Sequence, residues 1–181
     1  DDQGVVTHFV GIVNDITERK RYEEQLERQH NTDALTGLAS RNRLQERTAL
    51  AIAFAQRHQR CVALLFLDLD HFNRINDSLG HAFGDAVLRT VGERLATDLR
   101  ERDTAARFSG DDFVVVLSDL ASPQDVPLVA DKILRDVERP ITVDGREIIL
   151  SVSIGVSMFP QDGTDYDTLL RNADAAMYRA K

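Results

Sequence analysis

Apolar and polar residues alternate in blocks along the chain, and the periodicity within each block predicts its secondary structure. Residues 61–67 are all apolar, which is typical of a short strand buried on both faces of a sheet. Within residues 84–99, apolar side chains recur every three or four positions, the spacing of one helix face. The chain therefore contains at least one central strand and one amphipathic helix, each with a face directed to a core.

The same criteria predict the other elements of the main domain. Helices are predicted at residues 40–57, 72–79, 84–99, 123–138 and 166–181, and strands at 61–67, 104–108, 113–117, 141–143 and 147–158. Residues 109–112 contain a glycine and predict a tight hairpin turn. This order is that of an α+β fold, a ferredoxin-like palm with a central antiparallel sheet flanked by helices.

Two shorter regions precede this domain. Residues 5–16 are rich in β-branched side chains and predict one strand without a neighbouring partner, as expected for the end of a domain that lies mostly upstream. Residues 17–31 predict a helix in which Tyr22 and Leu26 are the main apolar positions. This helix is either solvated or half of a short coiled coil. The predicted organisation is a domain remnant at 1–16, a linker helix at 17–32 and the main domain at 33–181.

Composition narrows the class of protein. The chain of 181 residues is 43% hydrophobic and 29% charged, as in soluble globular proteins, and its formal net charge is −8. The acidic balance argues against nonspecific nucleic-acid binding.

The single cysteine, Cys61, begins an apolar run and fits a small buried residue in a reducing compartment. No apolar run is long enough to span a bilayer. We expect a cytoplasmic segment without membrane contact, although the full-length protein could be membrane-anchored.

Four carboxylates follow or join the predicted strands. Asp68 and Asp70 come directly after the buried strand, and Asp111 and Asp112 lie in the hairpin. In a ferredoxin-like sheet the central hairpin lies beside the first strand, so these side chains converge. Carboxylates at that density repel one another, and a hard divalent cation such as Mg²⁺ removes the repulsion and bridges phosphates. The sequence therefore predicts a Mg²⁺-nucleotide site, the alternative being a set of solvated turn aspartates.

Several long stretches together resemble the GGDEF domain of diguanylate cyclases over nearly all of residues 33–181. In chain order they are Asp33-Ala34-Leu35-Thr36-Gly37-Leu38 with Arg41, Asp68-Leu69-Asp70-His71-Phe72 with Asn76-Asp77, Gly80-His81 and Gly84-Asp85, Arg107-Phe108-Ser109-Gly110-Asp111-Asp112-Phe113, Ser151-Val152-Ser153-Ile154-Gly155-Val156, and Ala173-Asp174-Ala175-Ala176-Met177-Tyr178-Arg179-Ala180-Lys181.

The resemblance implies an activity and a metal site. Diguanylate cyclases join two GTP molecules into cyclic di-GMP and release two pyrophosphates, with one GTP on each domain of a homodimer. The implied cofactor is Mg²⁺ or Mn²⁺. The side chains of Asp68 and Asp111 and the carbonyl of Leu69 are the implied ligands. Asp111 or Asp112 is implied to help deprotonate the ribose 3′-hydroxyl, which makes these two residues the catalytic candidates.

The resemblance also implies how GTP is held. The implied contacts are His71, Phe72, Asn73, Asn76, His81, Asp85 and Lys181. An amide and a carboxylate, Asn76 and Asp85, complement the guanine edge. The backbone at His71 and Phe72 opens a helix and suits phosphates, and Lys181 is implied to reach the terminal phosphates.

Two further motifs imply regulation. Arg100 and Asp103 match the family's RxxD inhibitory site for cyclic di-GMP, at the usual distance before the signature hairpin. Residues 15–20 resemble the end of a PAS sensor domain and its exit helix. The expected partners are therefore GTP, cyclic di-GMP, an N-terminal PAS sensor and a possible C-terminal EAL domain.

Three positions depart from the family pattern. Ser109 replaces the first glycine of the signature, Asp112 replaces a glutamate, and Asn73 replaces a lysine. Asp112 is shorter than glutamate by about 1.5 Å, and a misplacement of that size costs on the order of 100-fold in rate. Two hypotheses follow. The first is a working diguanylate cyclase. The second is a weak or inactive domain that binds GTP or cyclic di-GMP and regulates an adjoining EAL phosphodiesterase or another partner.

Overall fold

The computed structural model describes residues 15, 16, 18 and 31–181. Three predictions lie almost wholly outside the described residues: the strand at 5–16, the linker helix with Tyr22 and Leu26, and the coiled coil. Within the described ranges, no helix combines the length and apolar character needed to cross a bilayer.

The described chain contains five helices and six strands. The helices are α1 (Arg41–His58), α2 (Phe72–Leu79), α3 (His81–Asp98), α4 (Asp125–Val137) and α5 (Tyr166–Ala180). The strands are β1 (Cys61–Leu69), β2 (Thr104–Ser109), β3 (Asp112–Leu120), β4 (Ile141–Val143), β5 (Arg146–Ile148) and β6 (Val152–Phe159). The predicted helices are confirmed with small changes at their ends, as is the two-residue hairpin between β2 and β3.

The main sheet has the order β2-β3-β1-β6, and β1 runs antiparallel to both of its neighbours. Side chains of β1 alternate between two cores. Ala63, Leu65 and Leu67 pack with residues of α3 and α4, whereas Val62 and Leu64 pack with α1 and α5. All five are at most 1% exposed, so β1 is buried on both faces as its unbroken apolar run predicted. The predicted α+β class, with an antiparallel sheet flanked by helices, is confirmed.

The prediction of one strand at residues 147–158 is wrong. This segment contains two strands in different sheets: β5 pairs with β4 in a small hairpin, and β6 pairs with β1. Between them Ile149 is 69% exposed while Leu150 is buried in the core. The chain thus leaves the small hairpin at Ile149, packs Leu150 into the core and then pairs with β1 through β6.

Helix α5 lies unusually close to β6. A Cβ atom built on Gly155 would lie 2.1 Å from the carbonyl oxygen of Ala173 and from the backbone nitrogen of Met177. Only glycine permits this contact between two backbones. The close approach fixes the position of α5 and, with it, the position of Lys181 at the helix's C-terminal end.

Candidate functional site

The sheet brings three of the predicted carboxylates together at one end of β1. Asp68 is the penultimate residue of β1, and its Cα is paired with that of Asp112 on β3. Asp111 immediately precedes Asp112 in the hairpin turn, after Gly110, whose φ of +47° lies in the left-handed region. The predicted juxtaposition of the first strand with the hairpin is therefore observed, and it follows from the antiparallel pairing of β1 with β3.

The carboxylates influence one another electrostatically. Burial is the main cause that raises the pKa of Asp111, and the negative charge of Asp68 adds to the rise. The positive charges of Lys181 and Arg107 oppose it. Burial also raises the pKa of Asp112, together with the charges of Asp68 and Asp111. This mutual destabilisation of negative charge is the property that a bound cation would relieve.

Lys181 already supplies one positive charge to this group. Its Nζ lies 2.5 Å from Oδ1 of Asp68 and donates a hydrogen bond to it. This bond raises the pKa of Lys181, which stays protonated. The ammonium side chain is 40% exposed, so it is accessible to a ligand from solvent as well as to Asp68.

The donor set at this sheet end suits a magnesium ion that is shared with a substrate. No cluster of three or more His, Cys, Asp or Glu side chains arranged to hold a metal occurs among the residues that the structure describes. Mg²⁺ is commonly bound by one or two carboxylates, with phosphates and water completing an oxygen-only shell. Asp68 and Asp111 with the Leu69 carbonyl are oxygen donors of this kind, so the residues present fit the group.

Asp70 has a different environment from Asp68. Its carboxylate accepts hydrogen bonds from the hydroxyls of Ser151 at 2.7 Å and Ser153 at 2.9 Å, and its N–H donates to the carbonyl of Ser151. Asp70 thus joins the chain leaving β1 to the beginning of β6. Ser151 and Ser153 belong to the motif at residues 151–156, but their contact with Asp70 depends on the register between β1 and β6.

Arg107 begins the signature motif, and the structure gives it a supporting role that the motif alone did not predict. Its Nε and Nη2 donate to the Gly110 carbonyl at 2.9 and 2.8 Å, which braces the hairpin turn before Asp111. Its Nη1 lies 3.5 Å from the carboxylate of Asp33. Asp33 in turn accepts hydrogen bonds from the backbone N–H and the hydroxyl of Thr36. The opening turn of the domain therefore supports the signature hairpin.

The corner between α2 and α3 holds the residues predicted to contact guanine and phosphates. His71 precedes α2 with a φ of +59°, and Phe72, the first helical residue, is buried. Asn76 lies against Gly84 of α3: a Cβ on Gly84 would come within 2.0 Å of the Asn76 Oδ1. Asp85 follows directly and is half-buried. Asn76 and Asp85 therefore lie at the same helix–helix corner.

Asn73 and His81, which complete the set predicted to contact GTP, are both exposed at this corner. Asn73 lies in the first turn of α2, and His81 is the first residue of α3. Neither side chain is buried in the core, so both are accessible to a ligand.

The RxxD residues lie at the other end of β2 from the hairpin. Arg100 is exposed, and its backbone N–H donates to Asp103 Oδ2. The other oxygen of Asp103 accepts a hydrogen bond from the Ser118 N–H at 3.0 Å. Both residues line a surface pocket of about 350 Å³. This pocket is separated from the carboxylates by the six residues of β2, roughly 20 Å of extended chain.

Comparisons with known proteins agree with these observations. Residues 30–181 match the family described as "Diguanylate cyclase, GGDEF domain". The chain is 42% identical over 155 residues to the cyclic di-GMP phosphodiesterase NbdA of Pseudomonas aeruginosa, covering 82% of this chain and 19% of NbdA. It is 41% identical over 157 residues to the diguanylate cyclase TpbB of the same species, covering 86% of this chain and 36% of TpbB.

A solved structure is similar throughout the domain. The coiled coil and GGDEF domain of DgcB from Caulobacter crescentus, in complex with c-di-GMP, superposes with a TM-score of 0.81 at 27% identity. The match covers 91% of this chain and 87% of that structure. The chain thus spans most of this solved domain, but only about a fifth to a third of the length of the two curated relatives.

Proposed function

Because the chain belongs to the GGDEF domain family, we propose that it is a diguanylate cyclase domain that condenses two GTP molecules into cyclic di-GMP. The observation that carries this proposal is the convergence of Asp68, Asp111 and Asp112 at one sheet end, with Lys181 held on Asp68. Carboxylates beside a positioned ammonium form the charge pattern that suits a triphosphate bound with its metal ion.

The metal site is proposed from the oxygen donors. Asp68 and Asp111 would hold Mg²⁺ (or Mn²⁺) through their carboxylates, and Leu69 through its carbonyl. Such an ion neutralises charge on the phosphates and assists an in-line displacement at phosphorus. The ammonium of Lys181, which is hydrogen-bonded to Asp68, is proposed to contact the terminal phosphates.

Six further residues have proposed roles that their places in the structure support. The carboxylate of Asp112 is proposed to accept the proton of the ribose 3′-hydroxyl, with Asp111 beside it. The N-terminal backbone of α2 at His71 and Phe72 is proposed to receive phosphates, because the first N–H groups of a helix lack intrahelical partners. Asn76 and Asp85, placed at one helix–helix corner, are proposed to bind the guanine edge.

Two GTP molecules must meet for the reaction, so we propose that the active form is a homodimer of facing domains. The test is incubation of the chain, fused to a dimerising coiled coil, with GTP and Mg²⁺, followed by separation of the nucleotides. We expect cyclic di-GMP and two equivalents of pyrophosphate. GTP binding without any cyclic di-GMP would reject the cyclase proposal.

A second candidate function is nucleotide binding without turnover, in the service of an EAL phosphodiesterase domain or another partner. The observations that favour it are the short carboxylate at Asp112 and the uncharged Asn73 on α2. The relative NbdA, named as a phosphodiesterase, is consistent with it. The same incubation separates the two candidates, and the double variant Asp112→Glu, Asn73→Lys should restore turnover if these positions are the cause.

We also propose that Arg100 and Asp103 bind cyclic di-GMP as an inhibitory site. Arg100 is exposed beside a pocket, and the backbone hydrogen bonds to Asp103 hold the loop in a fixed shape. Calorimetry with cyclic di-GMP tests this proposal. Arg100→Ala should abolish binding, and unchanged affinity would reject the site.

A further inference from the structure

Two departures from the family pattern contact each other across the hairpin. The hydroxyl of Ser109 donates a hydrogen bond of 2.9 Å to Oδ2 of Asp112. The two residues are also cross-strand partners, since Ser109 ends β2 and Asp112 begins β3. The bond therefore closes the two-residue turn that carries Gly110 and Asp111. A glycine at position 109 would have no side-chain donor to offer.

The Asp112 carboxylate needs such a donor because of its neighbours. It is paired across the sheet with Asp68, follows Asp111, and lines a surface pocket with Asp174 and Arg171 of α5. Asp68, Asp111 and Asp174 are acidic, and repulsion from them would turn an Asp112 carboxylate without a hydrogen-bond donor away from them. A donor within hydrogen-bond distance opposes that rotation and holds one carboxylate oxygen at a defined place.

Only one oxygen of Asp112 receives this bond. Ser109 contacts Oδ2, so Oδ1 takes no part in this bond. In the proposed reaction, Oδ1 would be the oxygen that accepts the proton of the substrate hydroxyl. One oxygen of the carboxylate thus orients the side chain, and the other is proposed to react with the substrate. This division resembles the way in which other catalytic groups are oriented by a partner that never touches the substrate.

We propose that Ser109 is a positioning residue for Asp112: its hydroxyl fixes the short carboxylate in the orientation that the transfer reaction needs. The inference rests on the proposed cyclase function for its effect on rate, but the orientation itself is a property of the protein alone. It predicts that serine at 109 matters because residue 112 is aspartate, and that the two positions act as a pair.

The kinetic test is a double-mutant cycle in the dimeric protein. Ser109→Ala should lower kcat about tenfold and leave KM for GTP within about twofold, because orientation acts mainly in the transition state. Ser109→Thr, which keeps the hydroxyl, should retain most of the wild-type kcat. With Asp112→Glu in the background, Ser109→Ala should have little effect on kcat. An equal loss of kcat in both backgrounds would overturn the proposal.

The second test needs no turnover. Scalar couplings between the Hα and Hβ protons of Asp112, measured by NMR, report its χ1 rotamer. One dominant rotamer is expected in the wild-type chain and in Ser109→Thr, and rotamer averaging is expected in Ser109→Ala. An unchanged rotamer in Ser109→Ala would overturn the proposal. If the wild-type chain makes no cyclic di-GMP, the proposed function fails, and the couplings still decide whether Ser109 positions Asp112.

Discussion

Lys181 donates a 2.5 Å hydrogen bond to Asp68 although the two residues are 113 positions apart in the chain. The contact joins the end of the last helix to the end of the central strand. It depends on the close packing of α5 against β6 at Gly155. Helix α5 therefore contributes to the proposed nucleotide site as well as to the core.

Removal of the Lys181 ammonium is expected to weaken GTP binding. We expect Lys181→Ala to raise the Kd for GTP with Mg²⁺ by roughly ten- to a hundredfold, because a charge-assisted hydrogen bond contributes about 1.5–3 kcal/mol. Titration with a fluorescent GTP analogue measures this change. Arg179→Ala, which removes an exposed cation from the same helix, is the matched control. Equal weakening by both variants would mean that only the general charge of α5 matters.

The glycine at position 84 is expected to control base recognition. In Gly84→Ala the new methyl group would meet the Asn76 amide and must displace it. Because the obstacle is a side chain, we expect the fold to persist while affinity for GTP falls about tenfold and affinity for ATP changes little. Competition between the two nucleotides measures the preference.

A second glycine on α3 provides the control for this experiment. Gly92→Ala also adds a methyl group to a buried position, but its nearest neighbour is the Thr36 side chain rather than Asn76. We expect Gly92→Ala to keep the preference for GTP over ATP. A loss of this preference in both variants would contradict a specific role for the contact between Gly84 and Asn76.

The backbone contact at Gly155 is expected to tolerate no side chain. Gly155→Ala places a methyl group within 2.1 Å of backbone atoms of α5, which cannot rotate away as a side chain can. We expect a loss of about 3 kcal/mol or more in the free energy of unfolding, at the upper end of the cost of overpacking. Urea denaturation measures it. A loss no larger than that of Gly92→Ala would show that α5 moves at little cost.

The opening turn is expected to weaken at acid pH through Asp33. Burial alone would raise the pKa of this carboxyl, but hydrogen bonds from Thr36 and the charge of Arg107 overcome it and lower the pKa below 3.8. A group whose pKa is lower in the folded state stabilises the protein above its unfolded pKa. That contribution is lost as the pH falls from about 4 through the folded-state value.

Urea unfolding between pH 7 and pH 3 tests this dependence. Asp33→Asn should cost about 1 kcal/mol at pH 7 and should flatten the decline of stability on the acid side. Thr36→Val, which keeps the carboxyl but removes one donor, should flatten it partly. An acid decline identical in Asp33→Asn and the wild-type chain would exclude Asp33 as its source.

The spacing of apolar residues predicted most of the helices and strands, because this spacing reflects which faces of each element are buried. The unbroken apolar run of β1 reports a strand covered on both faces, and the 3.6-residue spacing in α3 reports a helix with one buried face. The prediction of a single strand at 147–158 is wrong because it, too, rests on local pattern alone. The β-branched residues of this segment favour extended chain throughout, but whether that chain belongs to one sheet or two depends on partners elsewhere in the sequence.

The sequence by itself determined the chemical groups of the proposed site: oxygen donors after a buried strand and in a hairpin, an amide and a carboxylate near a helix–helix corner, and Lys181 after the helix at 166–180. Only the tertiary structure decided which of these groups contact one another and which contact other residues. Strand register assigned Asp70 to Ser151 and Ser153, helix packing brought Lys181 to Asp68, and the closing pair of the hairpin joined Ser109 to Asp112. Such contacts arise from distances between chain segments, which residue identity and spacing do not specify.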